Sequence, residues 1–240
     1  MIIADKAVLV TGANRGIGRA LVEEALSRGA KRVYAGTRQP LAHPDGRVTP
    51  LTLDITNEAQ IQRAVEEVES LDVLVNNAGV ALVSELSDRV AFEQELAINL
   101  FGPYAVTQAF LPLLTRSKGA IVNILSMNSL APLPLTAAYS ASKAAAFSLT
   151  QSSRALFAGL GVSVHAVMPG PVDTDGTRGF DIPKASPESV ARAIFDGVEN
   201  EEEDIFPDPV SGSLAESWRS GAVKGLERQL AAFAEAEPVK

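Results

Sequence analysis

The strongest constraint on how this chain folds is the alternation of short, almost continuously apolar runs with longer stretches of helical period. Residues 6–11 form such a run, a helical pattern follows from about Ile17 to Arg28, and residues 32–35 form the next run. Together they make a strand, helix, strand unit. The alternation continues through a strand at 48–53, a helix after Asn57, a strand at 71–75 and a long helix over about 88–114. A strand at 120–126, a helix over about 138–158 and a strand at 162–168 follow. A strand wetted on one face alternates apolar and polar residues. These runs do not, which is the pattern of a parallel sheet covered by helices on both faces. The expectation is an α/β fold on a doubly wound parallel sheet, with residues 1–240 forming a single domain because no linker marks off a second.

Beyond Met168 the pattern loosens into residues 169–185, rich in Gly, Pro and charge, which are expected to be the most mobile segment. Ser186-Pro187-Glu188 then offers a helix start with proline at the first helical position. Glu201 to Glu203 reads as a solvated acidic turn before a final strand at 204–206. The tail over 214–235 reads as helix interrupted at Gly221 and Gly225.

Composition removes several kinds of chemistry. There is no cysteine, so disulfides, thiolate zinc sites and cysteine nucleophiles are excluded. The two histidines, His43 and His165, are too few for a histidine-rich metal site, and no metal is expected. A net charge of -8 repels nucleic acid and acidic membranes, so an anionic ligand needs a local cationic site. The apolar start of the chain is broken by Asp5 and Lys6, and no apolar run is read as reaching the roughly 18 residues of a membrane helix. A cytoplasmic protein without nucleic acid or membrane partners is the expectation.

Thr11-Gly12-Ala13-Asn14-Arg15-Gly16-Ile17-Gly18 lies between the first strand and the first helix. A glycine-rich turn there lets backbone approach a pyrophosphate at a helix N-terminus, the device of a Rossmann-type fold. About 20 residues further on, a carboxylate would suit the ribose 2′-hydroxyl of NAD, whereas an arginine suits the 2′-phosphate of NADP. That place holds Thr37-Arg38, and Arg15 lies inside the glycine loop, so two guanidiniums can grip one phosphate. NADP(H) is the expected cofactor.

Tyr139 and Lys143 are four apart in a stretch expected to be helical, so they share one face. Such a pair is commonly just an amphipathic surface pair. Placed at one site, an ammonium about 4 Å from a phenol is worth about 4 kcal/mol at an effective dielectric of 20, enough to lower its pKa by up to about three units. Ser126 ends a strand on the sheet edge where ligands bind, and Asn76-Asn77-Ala78-Gly79 and Pro169-Gly170-Pro171-Val172-Asp173-Thr174 end two others. All converge on one crevice.

With these pieces in their order and spacing, the sequence resembles the short-chain dehydrogenase/reductase family, in its shorter single-domain branch, up to about Thr174. The residues carrying the resemblance are Gly12, Gly16 and Gly18, Asp54-Ile55, Asn76-Asn77-Ala78-Gly79, Asn99, Ser126, Tyr139 with Lys143, and Pro169-Gly170. It implies a catalytic set of Asn99, Ser126, Tyr139 and Lys143. Tyr139 would act as general acid toward a carbonyl, with Ser126 bonded to the same oxygen. Lys143 would hold the nicotinamide ribose and lower the tyrosine pKa, and Asn99 would keep a water that relays protons to the lysine. Asp54 would contact the adenine amine, Asn77 to Gly79 would run along the adenine ribose side, and Val172 and Thr174 would meet the carboxamide. Leu125 stands where the family often has a second serine, which leaves Ser126 as the hydroxyl at that strand end.

Met127, Leu133, Leu135 and Phe180 flank the reacting positions and would favour an apolar or aromatic carbonyl, with the substrate loop at about 174–187. The helix over 142–157, rich in Ala, Leu and Phe, suits either its own sheet or a neighbouring subunit in a homodimer or homotetramer. Two other readings stand beside an oxidoreductase of carbonyl reductase type. One is a sugar-nucleotide epimerase or dehydratase, disfavoured by the glycine spacing and by the lack of a large C-terminal substrate domain. The other is a non-catalytic NADP-binding regulator or sensor.

Overall fold

The computed structural model describes residues 1–39 and 41–236, the last four by backbone alone. β1 (Ala7–Thr11) has all five residues buried and pairs in parallel with β2 (Arg32–Thr37) on one side and β4 (Val73–Asn76) on the other. β3 (Val48–Thr52), β5 (Ala120–Ile124), β6 (Ser163–Val167) and β7 (Asp204–Ile205) extend this to a seven-stranded parallel sheet of order β3-β2-β1-β4-β5-β6-β7. Successive residues explain the unbroken apolar runs. Val8 and Val10 face α1 (Gly16–Ser27) and α6 (Pro187–Glu199) in one core, while Leu9 faces α2 (Glu58–Glu67) and α4 (Gly102–Ser117) in another. Each such fully buried Val or Leu contributes about 1.5–3 kcal/mol. The strand order reverses between β1 and β4, which opens a crevice at the carboxyl ends of those strands.

The long helix expected over 88–114 is present but not regular. α3 (Arg89–Leu96) passes through a π turn, Ala97–Phe101, into α4. This 29-residue run reaches a mean hydropathy of 1.2, so by length and composition it does match a membrane span, contrary to the expectation that no run would. In the fold, Val106, Phe110, Leu113 and Leu114 on α4 pack into the core. Gly102 lets the helix approach the β3 side, since a Cβ there would stand 2.6 Å from Ile55 Cδ1.

α5 (Ala137–Ala158) matches its expected helix closely. The C-terminal segment is α7 (Pro209–Gly212), α8 (Ala215–Arg219) and α9 (Ala222–Ala236). Gly221 breaks the tail as expected, whereas Gly225 lies within α9. Charge fastens this segment. Lys224, 2% exposed, pairs with Asp204 at 2.6 Å and Glu227 at 3.0 Å, and Arg154 on α5 pairs with Asp204 at 2.8 Å and with Glu227. Burial pushes the Asp204 carboxyl up, but Arg154, Lys224 and the Trp218 indole together outweigh it and hold the group below its ordinary value.

Candidate active site

The crevice floor begins at the glycine loop. Gly12 and Gly16 have φ of 68° and 52°, where any side chain is strained, and a Cβ on Gly18 would lie 2.2 Å from the Gly12 carbonyl oxygen. Thr11 Oγ1 accepts the amides of Asn77 and Ala78, each at 3.0 Å. Asn77 Nδ2 in turn donates to the carbonyls of Thr11 (2.8 Å) and Gly12 (3.2 Å). The Asn77 side chain, read as part of an adenine ribose site, therefore braces the loop. Arg15 precedes the first turn of α1 and no side chain caps it, which leaves a helix N-terminus suited to phosphate. The chain after β6 crosses this end: a Cβ on Gly16 would stand 3.1 Å from Thr174 Cγ2. A cradle that admits only glycine beneath a helix N-terminus fits a dinucleotide.

At the adenine end, Thr37 is buried at the close of β2 and Arg38 is exposed beside it. Asp54 Oδ1 accepts from the Thr56 amide (2.9 Å) and hydroxyl (2.7 Å). Those bonds, with Arg38 nearby, hold its carboxyl below the usual value. Ile55 is buried against α4, and Asn14 is exposed. Arg15 is not free. Its Nη1 lies 3.0 Å from Asp175 Oδ2, and Arg178 bonds the same carboxylate. Asp175 lay unremarked in the glycine- and charge-rich loop, and a partner 160 residues away leaves no local signal.

The residues expected to react come from three elements. Ser126 sits two residues beyond β5, 8% exposed, and its Oγ accepts the Asn128 amide at 3.1 Å. Tyr139 and Lys143 lie one turn apart on α5, with Nζ 5.8 Å from the phenol ring centroid. Lys143 is 6% exposed and donates to the Ile124 carbonyl at 2.8 Å. Asn99, 1% exposed in the π turn, accepts from the Val80 amide (3.0 Å) and donates to the Val80 carbonyl (2.9 Å) and Ser142 Oγ (3.0 Å). Its side chain is thus fully engaged. Its backbone carbonyl lacks the ordinary helical donor four residues on, because Pro103 has no amide hydrogen. π turns recur at functional sites, and this one carries Asn99.

The electrostatics correct one expectation. Burial pushes the Tyr139 phenol up, the Ser126 hydroxyl beside it opposes this, and the Glu95 carboxylate adds to the rise. The ammonium meant to lower it is itself weakened by burial, which takes Lys143 down to about 8. Desolvation is the largest influence on both groups. Behind Lys143, between α4 and α5, lies a cavity of about 30 Å³ lined by Asn76, Asn99, Asn123, Thr107 and Thr150 among others. That is room for about one or two waters among polar groups.

The wall after β6 is held by Asp208, whose partner Gly170 lies 38 residues away and leaves no local sequence signal. Its Oδ2 accepts the Gly170 amide at 2.7 Å while its Oδ1 caps α7, and a Cβ on Gly170 would collide with it at 2.8 Å. Pro169 accepts the Met127 amide at 2.9 Å, which ties this wall to the Ser126 strand end. Buried Val172 pairs with Ala185 in a parallel bridge, closing the loop between them at its base. Met127 is half-buried, and Leu133 (40%), Leu135 (63%) and Phe180 (36%) are exposed around the rim.

A family model described as short chain dehydrogenase matches residues 6–183. Among curated relatives, mouse estradiol 17-beta-dehydrogenase 2 is 36% identical over 197 residues, which is 75% of this chain and 51% of that protein. The chain therefore spans about half of that relative's length. An uncharacterised oxidoreductase of Staphylococcus aureus is 31% identical over 212 residues, covering 81% of this chain and 91% of that one. Among solved structures, a short chain dehydrogenase from Burkholderia cenocepacia in complex with NADP superposes with a TM-score of 0.87 at 35% identity, over 96% of this chain and 99% of that one. Sequence match, sheet order and whole-length superposition agree, and the chain belongs to the short chain dehydrogenase family.

Proposed function

We propose that this protein is an NADP(H)-dependent oxidoreductase of carbonyl reductase type, working mainly in the reducing direction on an apolar or aromatic ketone or aldehyde. The observation that carries the proposal is the Tyr139 phenol beside Ser126, with Lys143 on the same helix face and burial keeping the phenol protonated at neutral pH. A protonated phenol is a donor, so it serves reduction as general acid. The bound cofactor would supply the hydride. Tyr139 and Ser126 hold the carbonyl oxygen from two sides, and their hydrogen bonds strengthen as negative charge grows on it. Lys143 replaces the proton Tyr139 gives up, drawing on water in the cavity between it and the Asn99 backbone.

Gly12 to Gly18 with the first turn of α1 would cradle the pyrophosphate, and Arg15 and Arg38 would take the 2′-phosphate. Asp54 with Ile55 and residues 77–79 would flank the adenosine, and Val172, Thr174 and the Pro169-Gly170 turn would flank the nicotinamide. The NADP held by the Burkholderia protein supports this choice of cofactor. Met127, Leu133, Leu135 and Phe180 offer an apolar rim, and the mouse relative is named for estradiol, an apolar alcohol.

The test is a dissociation constant for NADPH and NADH, followed by turnover of aryl and alkyl ketones and aldehydes. Preference for NADPH with oxidation in the presence of a ketone is expected. Tyr139→Phe should cut turnover about 10²–10⁴-fold while leaving cofactor affinity in place. Cofactor binding without turnover across the panel would overturn the catalytic reading, and turnover confined to charged sugars would overturn the substrate class.

A further inference from the structure

Glu95 has no part in the chemistry described above, yet it is a carboxylate with 0% exposure. Its Oε1 accepts the Leu82 amide at 2.5 Å, and its Oε2 is buried with no partner among the described residues. A buried carboxylate this poorly bonded is costly unless a charge compensates it. Glu95 lies one turn before Asn99, and α3, which carries it, packs against α5, which carries Lys143. The strap 79–82 gathers all three residues. Leu82 bonds Glu95, Val80 bonds Asn99, and a Cβ on Gly79 would stand 3.6 Å from Lys143 Nζ and 3.1 Å from Asn99 Oδ1.

The surrounding elements offer Glu95 no other compensating charge. The strap and its neighbours from Asn77 to Ser84 carry no ionisable side chain. On α3 itself, Arg89 and Glu93 are exposed and pair with each other at 2.7 Å. The π turn and the start of α4 contribute only Tyr104, which is exposed. On α5 the titratable groups are Tyr139 and Lys143 near its start and, about three turns beyond Lys143, Arg154, which is engaged by Asp204 and Glu227. Burial pushes the Glu95 carboxyl up while Lys143 draws it back, and the same interaction favours the ammonium of Lys143.

We propose that Glu95 is a positioning residue, the buried counter-charge that keeps Lys143 an ammonium and so sets the pH range in which Tyr139 hands over its proton. The inference rests on the reading of Tyr139 and Lys143 as the reacting pair. A purely architectural Glu95 would serve only to hold Leu82. Glu95→Gln separates the two roles, because the amide oxygen still accepts the Leu82 N–H while the charge is gone.

The measurement is the pH profile of kcat/KM for carbonyl reduction with NADPH. Activity falls on the alkaline side as Lys143 loses its proton. Without the negative charge, Lys143 and Tyr139 both release protons more easily, so in Glu95→Gln this limb should move down by about one pH unit, roughly tenfold in activity along the limb. Glu95→Asp keeps the charge and should leave the limb nearer to that of the parent protein. A limb within about 0.2 unit in Glu95→Gln, or an equal shift in both variants, overturns the proposal. A second readout needs neither a Glu95 variant nor turnover. With ¹³C at glutamate Cδ, one glutamate resonance of the parent protein should follow the titration of Lys143, and that inflection should vanish in Lys143→Met. Its absence overturns the proposal even if the Gln variant does not fold. Failure to reduce any carbonyl would instead count against the function proposed above, and the resonance would still decide the role of Glu95.

Discussion

At the scale of single residues, the crevice works by competition between charges. Arg15 and Asp175 are 67% and 44% exposed, so their ion pair is worth no more than about 1 kcal/mol. A phosphate, with more charge and more acceptor oxygens, displaces such a carboxylate readily. Asp175→Asn should therefore tighten NADPH binding by about two- to fivefold and leave NADH unchanged, as fluorescence titration of both cofactors would show. Arg15→Ala and Arg38→Ala should each cut the preference for NADPH about tenfold or more, and an unchanged ratio would remove the phosphate role from that arginine. The proposed roles of Tyr139 and Lys143 carry their own pH signature. Because burial brings Lys143 to about 8, carbonyl reduction should hold through neutral pH and fall as the pH rises past about 8.

At the scale of elements, the C-terminal helices are held largely by charge. Lys224 connects α9 to β7, and Lys224→Met would leave Asp204 buried with one partner fewer, a loss of about 3–5 kcal/mol in denaturant unfolding. The depressed Asp204 carboxyl also fixes a sign. Its stabilisation is complete above the unfolded value near 4 and is lost as pH falls through the lower folded value, so acid should loosen this end of the molecule. Little of this clamp was legible in sequence. Glu203 and Asp204 read as a wet turn and a strand start, because their partners Arg154 and Lys224 come from elsewhere in the chain. The strands were legible because covering helices on both faces demand unbroken apolar runs, and only their ends slipped by a residue or two. The π turn was not legible, since helical period fits both sides of it and the irregularity shows only in the missing amide of Pro103. Tyr139, Lys143 and Ser126 could be placed from i, i+4 spacing and a strand end, whereas Glu95 looked like one more polar position on a surface helix.

For the whole molecule, a parallel sheet gathers its loops at one edge. β1 must pair with β4 across 65 residues, as in Val8 with Val73, so the crevice forms only once distant segments have met. Along α5, Leu156 (47%) and, just beyond it, Leu160 (42%) are exposed near one end, and Phe101 and Tyr104 are exposed on the neighbouring helical run. Light scattering should report a mass of two or four chains if these surfaces meet a second copy, and a monomer at micromolar concentration would refute the homo-oligomer.

The bridge between Val172 and Ala185 also makes the loop tip a separable part. It cinches both ends of the intervening segment onto the frame, so that residues 179–184 can be exchanged, lengthened or trimmed while Thr174 and Asp175 keep their contacts with Gly16 and Arg15. A grafted tip of this kind should alter which molecules fit the crevice and leave the fold's melting temperature within a few degrees of the parent protein.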